Sequence, residues 1–185
     1  MICPESLETG LEQTFRHILE TRMQGMPIIH ERLVVQAVDF RWWDGHCLGV
    51  LITPWFLNLM LLPAEGDDWR GLRVGEKVDH VFPSGRYEFI IGEEEALGRY
   101  QMCSLFSPVF EFADQEAAVA TARAALAAIM DEENRDTSGF AEQIKAFCWC
   151  GEPEAAEAVS GVLPAPRRLT RRTFLTGGQA GKEVE

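Results

Sequence analysis

Cys148-Trp149-Cys150 is the part of this sequence that most resembles a metal or redox pair. A zinc site takes four ligands, commonly from two such pairs at wider spacing, and no second pair is present. The two thiols read instead as a solvent-edge pair or as packing. Cys103, within Cys-Ser-Leu-Phe-Ser-Pro, reads as a small buried hydrophobe. His17, His30, His46 and His80 show no helical or hairpin pairing that implies a shared metal, so each reads as a surface or boundary side chain. Glu93-Glu94-Glu95 has the chemistry for acid–base work but reads as a solvated turn. No dinucleotide-binding, phosphate-cradling, zinc-protease or nucleophile-elbow motif occurs. These residues give no catalytic site, metal or cofactor, and the chain reads as a binding protein.

A sharper signal lies near the C-terminus. Thr170-Arg171-Arg172-Thr173-Phe174-Leu175-Thr176 has the Ser/Thr-Arg-Arg-x-Phe-Leu form of twin-arginine export signals. Such signals are N-terminal and run into an apolar stretch, whereas Gly177-Gly178-Gln179 follows here. Export through this motif is therefore physically implausible. A basic tail that matches by accident, a contact made in trans and a tethered competitor for a binding groove are the readings left. Arg171, Arg172, Phe174 and Leu175 are the candidate contacts.

Charge narrows the partners. The 185 residues carry a net charge of −12, and the part before Arg167 holds 12 basic against 27 acidic residues, a net −15. That balance disfavours nucleic acid and anionic membrane surfaces and favours basic partners. An apolar share of 46% and a charged share of 25% suit one soluble globular domain. The N-terminus shows no basic stretch followed by an apolar core, so no secretory signal is expected. Cys3, Cys47, Cys103, Cys148 and Cys150 are odd in number and irregularly spaced, which suits a reducing cytoplasm better than a disulfide framework.

The elements that must position these residues are legible in outline. Pro4 and Glu5 open a helix whose Leu7, Leu11, Phe15, Ile18 and Leu19 share a face, and Gly25 and Pro27 stop it. Val34, Val38, Phe40 and Trp42 alternate with Gln36, Asp39 and Arg41 on the approach to Asp44-Gly45, a two-residue hairpin signal. Cys47 to Thr53 is the return strand, Phe56 to Leu62 a third, and Ala64 to Gly75 a polar loop. A second hairpin turns at Pro83-Ser84-Gly85, with Tyr87, Phe89 and Ile91 on one face, and a further strand runs from Arg99 to Phe106. Asp114 caps a second helix with a seam of Ala118, Ala122, Ala125, Leu126 and Ile129. The expected fold is α+β: a mostly antiparallel sheet of five to six strands flanked by N- and C-terminal helices, both packed on one sheet face. Residues 1–132 form the domain, and 133–185 a loosely ordered extension with a short apolar island at Phe140 to Trp149.

From Gly49 to Pro63 no charged residue occurs. A membrane helix needs about 20 apolar residues, and Pro54 breaks this run near its middle. It reads as two buried strands hinged at Thr53-Pro54-Trp55, with the hinge at a sheet edge or corner because proline cannot donate to the ladder. Trp55, Phe56 and Trp42 are the candidate lining of a partly exposed apolar groove. A cluster of Trp42, Trp43 and Trp55 could alternatively floor a small-molecule pocket.

Ile52-Thr53-Pro54-Trp55, the apolar strand to Pro63, Phe82-Pro83-x-Gly85, Cys103-Ser104-Leu105-x-Ser107-Pro108 and the closing Arg-Arg-x-Phe-Leu occur in one order from about Phe15 to Gly177. Together they resemble the nickel–iron hydrogenase assembly chaperones called HybE, HupJ or HoxT. The resemblance implies a non-enzymatic, cytoplasmic maturation factor that holds a hydrogenase small or large subunit precursor until cofactors are installed. It implies other maturation proteins as further partners, and delayed twin-arginine export of the small subunit. Some relatives carry a rubredoxin-like iron site, but the Cys-x-x-Cys pairs it needs are missing here, so no iron is carried over. The alternative within the same setting is an oxygen- or redox-protective factor using Cys148 and Cys150 or Cys103.

Overall fold

The computed structural model describes residues 4–64, 66 and 69–135. Helix α1 spans Pro4–Arg22, followed by strands β1 (Gln36–Trp43), β2 (His46–Ile52), β3 (Leu57–Leu62), β4 (Lys77–Phe82), β5 (Gly85–Glu94) and β6 (Gly98–Phe106). Helix α2 spans Gln115–Ile129, and a single 3₁₀ turn covers Glu132–Asn134. All six strands join one antiparallel sheet in the order β1-β2-β3-β6-β5-β4. It consists of two three-stranded meanders, joined where β3 pairs with β6.

The turns follow from local chemistry. Asp44 and Gly45 have φ of 46° and 79°, the left-handed pair that closes a two-residue hairpin between Trp43 and His46. Pro83-Ser84 closes the β4–β5 hairpin, with Phe82 opposite Gly85. The Asp114 carboxylate accepts from the Ala117 N–H at 2.9 Å and caps α2.

The expectation that both helices pack on one sheet face is overturned: the two cover different faces. The alanine seam of α2 packs with Leu48, Val50, Ile52, Leu57, Leu59, Leu61, Phe82 and Phe89. Leu11, Phe15 and Ile18 of α1 pack with Phe40, Cys47, Leu51, Met60, Leu62 and Tyr100. On β2 and β3 these two sets alternate, so α1 and α2 cover opposite faces. This arrangement explains the uncharged run. Every residue of β3, and of β2 after His46, is buried, because a central strand covered on both faces has no solvent side.

β1 also departs from simple alternation. Val38 pairs with Val50 and Arg41 with Leu48, so Asp39 and Phe40 together face Gly49 in a bulge, with Asp39 at φ 51°. The bulge sends Val38 to the α2 face and Phe40 to the α1 face. A Cβ on Gly49 would lie 2.3 Å from the Phe40 ring, so only glycine leaves that ring its place.

Candidate functional site

The turn from Thr53 to Phe56 is fixed by its first side chain. Thr53 Oγ1 accepts from the N–H of Trp55 at 3.3 Å and of Phe56 at 3.0 Å, and the Thr53 N–H donates to the Phe56 carbonyl at 2.8 Å. Proline fits because its missing donor falls in the turn and not in the ladder. From outside, the His30 N–H donates to the Pro54 carbonyl at 2.8 Å and lays the segment after α1 across the turn.

That segment changes the expected groove. Trp55 is only 9% exposed, inside the α1-side cluster, with its ring edge-on to Phe56 at 5.5 Å. Phe56 is half-buried and meets Phe15 edge-on at 5.7 Å. Trp42 stands apart on β1, opposite Cys47 and 37% exposed. Trp43 lies on the other face, stacked on Phe82 at 4.2 Å. The three tryptophans therefore form no common pocket floor: the bulge and the two-sided sheet separate them. Arg171, Arg172, Phe174 and Leu175, like Cys148 and Cys150, lie outside the described residues.

What borders the turn is an apolar surface that the sequence pattern did not reveal. Ile28, Val34 and Phe110 are exposed. The His30 ring lies beside Phe110 at 6.3 Å. Arg32 Nη1 donates to the Ala113 carbonyl at 3.3 Å, and the Val34 N–H donates to Gln115 Oε1 at 3.0 Å. These contacts bind the 28–34 segment to the chain between β6 and α2. Glu31, Glu111 and Asp114 are exposed within those two segments, with Arg32 as the basic residue between them. Although Glu111 is exposed as a residue, partial desolvation raises its carboxyl above the ordinary value against the pull of a backbone hydrogen bond at Glu111 itself, and among the described residues no cation pairs with it. Exposed apolar side chains beside Glu31 and Glu111, which have no ion-pair partner among the described residues, suit a ligand that is apolar with adjoining positive charge. No local signal marks these positions, since Val34 and Phe110 become neighbours of the turn only through the fold.

The other reactive candidates are placed as follows. Cys47 and Cys103 are buried free thiols on the α1 and α2 faces. Burial first, and then Glu8, raises the Cys47 thiol to about 11, which leaves it protonated near neutrality. His80 Nε2 and Gln101 Oε1 are 2.6 Å apart, and the His46 and His80 rings are 6.5 Å apart. Among the described residues no group of three or more His, Cys, Asp or Glu is placed to hold a metal ion. No described helix is long and apolar enough to cross a membrane.

The family described as "[NiFe]-hydrogenase assembly, chaperone, HybE" matches residues 6–177. The chain belongs to the HybE family. The hydrogenase expression/formation protein HupJ of Bradyrhizobium diazoefficiens is 38% identical over 167 residues, covering 90% of this chain and 85% of that one. A Rhodobacter capsulatus protein called probable rubredoxin HupJ is 39% identical over 95% of this chain, which spans only 65% of that protein's length. The solution structure of HybE from Escherichia coli has a TM-score of 0.57 at 23% identity, covers 84% of this chain and 91% of that one, and shows the same fold.

Proposed function

We propose that this HybE-family chain is a cytoplasmic, non-enzymatic chaperone for nickel–iron hydrogenase assembly. It holds a subunit precursor, including the twin-arginine signal of the small subunit, until cofactors are inserted. The observation that carries the finer reading is the sheet end around the Thr53–Phe56 turn, where Ile28, Val34 and Phe110 are exposed beside Glu31 and Glu111. A twin-arginine signal offers the complement: a guanidinium pair followed by apolar residues. Carboxylates orient the guanidinium pair, and apolar burial at about 25 cal/mol per Å² supplies most of the affinity. Trp55 and Phe56 act by holding the turn in the α1-side cluster, and Trp42 is a separate contact at the β1 edge.

The test is a pull-down with tagged protein from cells in which nickel incorporation is blocked. A hydrogenase precursor should be enriched over nickel-replete cells, and Phe110→Ser should reduce the enrichment. Equal recovery in the two conditions would sink the precursor-holding reading.

A further inference from the structure

The described chain ends against the same side of the sheet. Arg135 Nε donates to the Pro83 carbonyl at 3.1 Å, and the Ser84 N–H donates to the Ile129 carbonyl at 3.1 Å. The Pro83-Ser84 turn lies at the sheet end that also holds the Thr53–Phe56 turn and the end of β6. From Arg135 to Arg171 the sequence runs 36 residues. Even a coiled chain of that length reaches roughly 30 Å, comparable with the diameter of a domain this size. Reach is therefore no obstacle to a meeting between residues 170–176 and the exposed patch.

Composition supplies the complementarity. Thr170–Thr176 presents two arginines, then Phe174 and Leu175. The patch presents Ile28, Val34 and Phe110 beside Glu31, Glu111 and Asp114. Glu31 and Glu111 are exposed and have no ion-pair partner among the described residues, so both carboxylates are open to a guanidinium.

We propose that residues 170–176 dock in cis on this sheet end, with Phe174 and Leu175 on Phe110 and Val34 and the arginine pair on Glu111 and Glu31. The proposal rests on reading this surface as a peptide site, but not on the identity of the precursor. The tail then acts as a tethered competitor. At an effective concentration near millimolar, even a cis interaction of ~0.1 mM strength keeps the surface occupied about nine-tenths of the time. Weak apolar peptides are excluded, and only a partner that binds more tightly displaces the tail.

The experiment titrates a synthetic Thr170–Thr176 peptide into the full chain and into full-chain R171Q/R172Q by calorimetry. Removing the competitor should tighten binding about tenfold. In the R171Q/R172Q background, Phe110→Ser and Val34→Ser should each abolish binding. Both side chains are more than half exposed, so thermal melts of these variants should match the parent. Equal affinity in the full chain and R171Q/R172Q overturns the cis model, as does binding that survives both patch substitutions. A patch that binds the peptide without competition is a site for partners in trans, which also overturns it. Tail-peptide binding together with no binding of a hydrogenase signal peptide supports the docking and overturns only the precursor reading.

Discussion

A methyl group on Gly49 would press into the Phe40 ring, so Gly49→Ala forces the ring or the strand to move. Overpacking of this kind costs about 1–3 kcal/mol and should lower the denaturant midpoint at unchanged slope. In a Phe40→Ala background the same change should cost far less, because the obstacle is gone. Trp55→Ala should destabilise by about 3–5 kcal/mol, since the ring lies in the core; a mutant that melts with the parent would show the ring to be unpacked. Burial also raises Tyr100 from 10.0 to about 12, with Glu94 adding to it, just as it raises Cys47 from 9.0 to about 11. In alkali the folded chain keeps protons that the unfolded chain has released. The stability from these two groups is complete below about pH 9 and is lost as pH rises toward 11 and 12. Thermal midpoints should fall over that range, and Cys47→Ala with Tyr100→Phe should flatten the fall.

β1 is an edge strand whose outward amides are taken up by side chains of α1. The Ala37 N–H donates to Glu12 Oε1 at 2.9 Å and the Phe40 N–H to Glu8 Oε1 at 3.1 Å. This closes an edge that would otherwise be a template for another strand. Replacing both glutamates with Ala should cost about 1 kcal/mol per lost bond and speed hydrogen exchange at Ala37 and Phe40 above their neighbours. Unchanged exchange at those two amides would show that the carboxylates do not protect them. The elements themselves were legible in the sequence because their signals are local. Asp44-Gly45, Asp114 and the alanine seam each specify structure within a few residues. The bulge was not legible, because what demands it is the fit of Phe40 over Gly49 on a neighbouring strand. Nor was the placement of the helices on opposite faces, since amphipathic periodicity tells which side of a helix is buried but not which side of the sheet buries it. Trp55 is a like case: it is buried in a cluster with Leu11, Phe15 and Ile18 of α1, about 40 residues earlier in the chain.

At the scale of the whole molecule, the folded body runs slightly past Glu132. Asn134 Nδ2 donates to the Ala128 carbonyl at 3.2 Å, and Arg135 holds the Pro83 turn. We expect a chain ending after Arg135 to melt cooperatively and to lose no more than the roughly 1–2 kcal/mol that a tail docked about nine-tenths of the time contributes. A broad transition would mean that later residues complete the core. The family was legible in the order of its short motifs, whereas the exposed patch depends on three separate segments and no motif encodes it. The joining of two meanders at β3 and β6 has a consequence for synthesis. Residues emerge from the ribosome at about 5–20 per second, and β6 follows β3 by 36 to 44 residues, so the free flank of β3 stands open for roughly 2–9 s. In that interval α1 and β2 are already made to cover one face and one flank of β3, while its β6 flank and the face that α2 will cover stay open. A chain proposed above to hold unfinished partners thus passes, during its own synthesis, through a stage with an open strand flank and an uncovered apolar face.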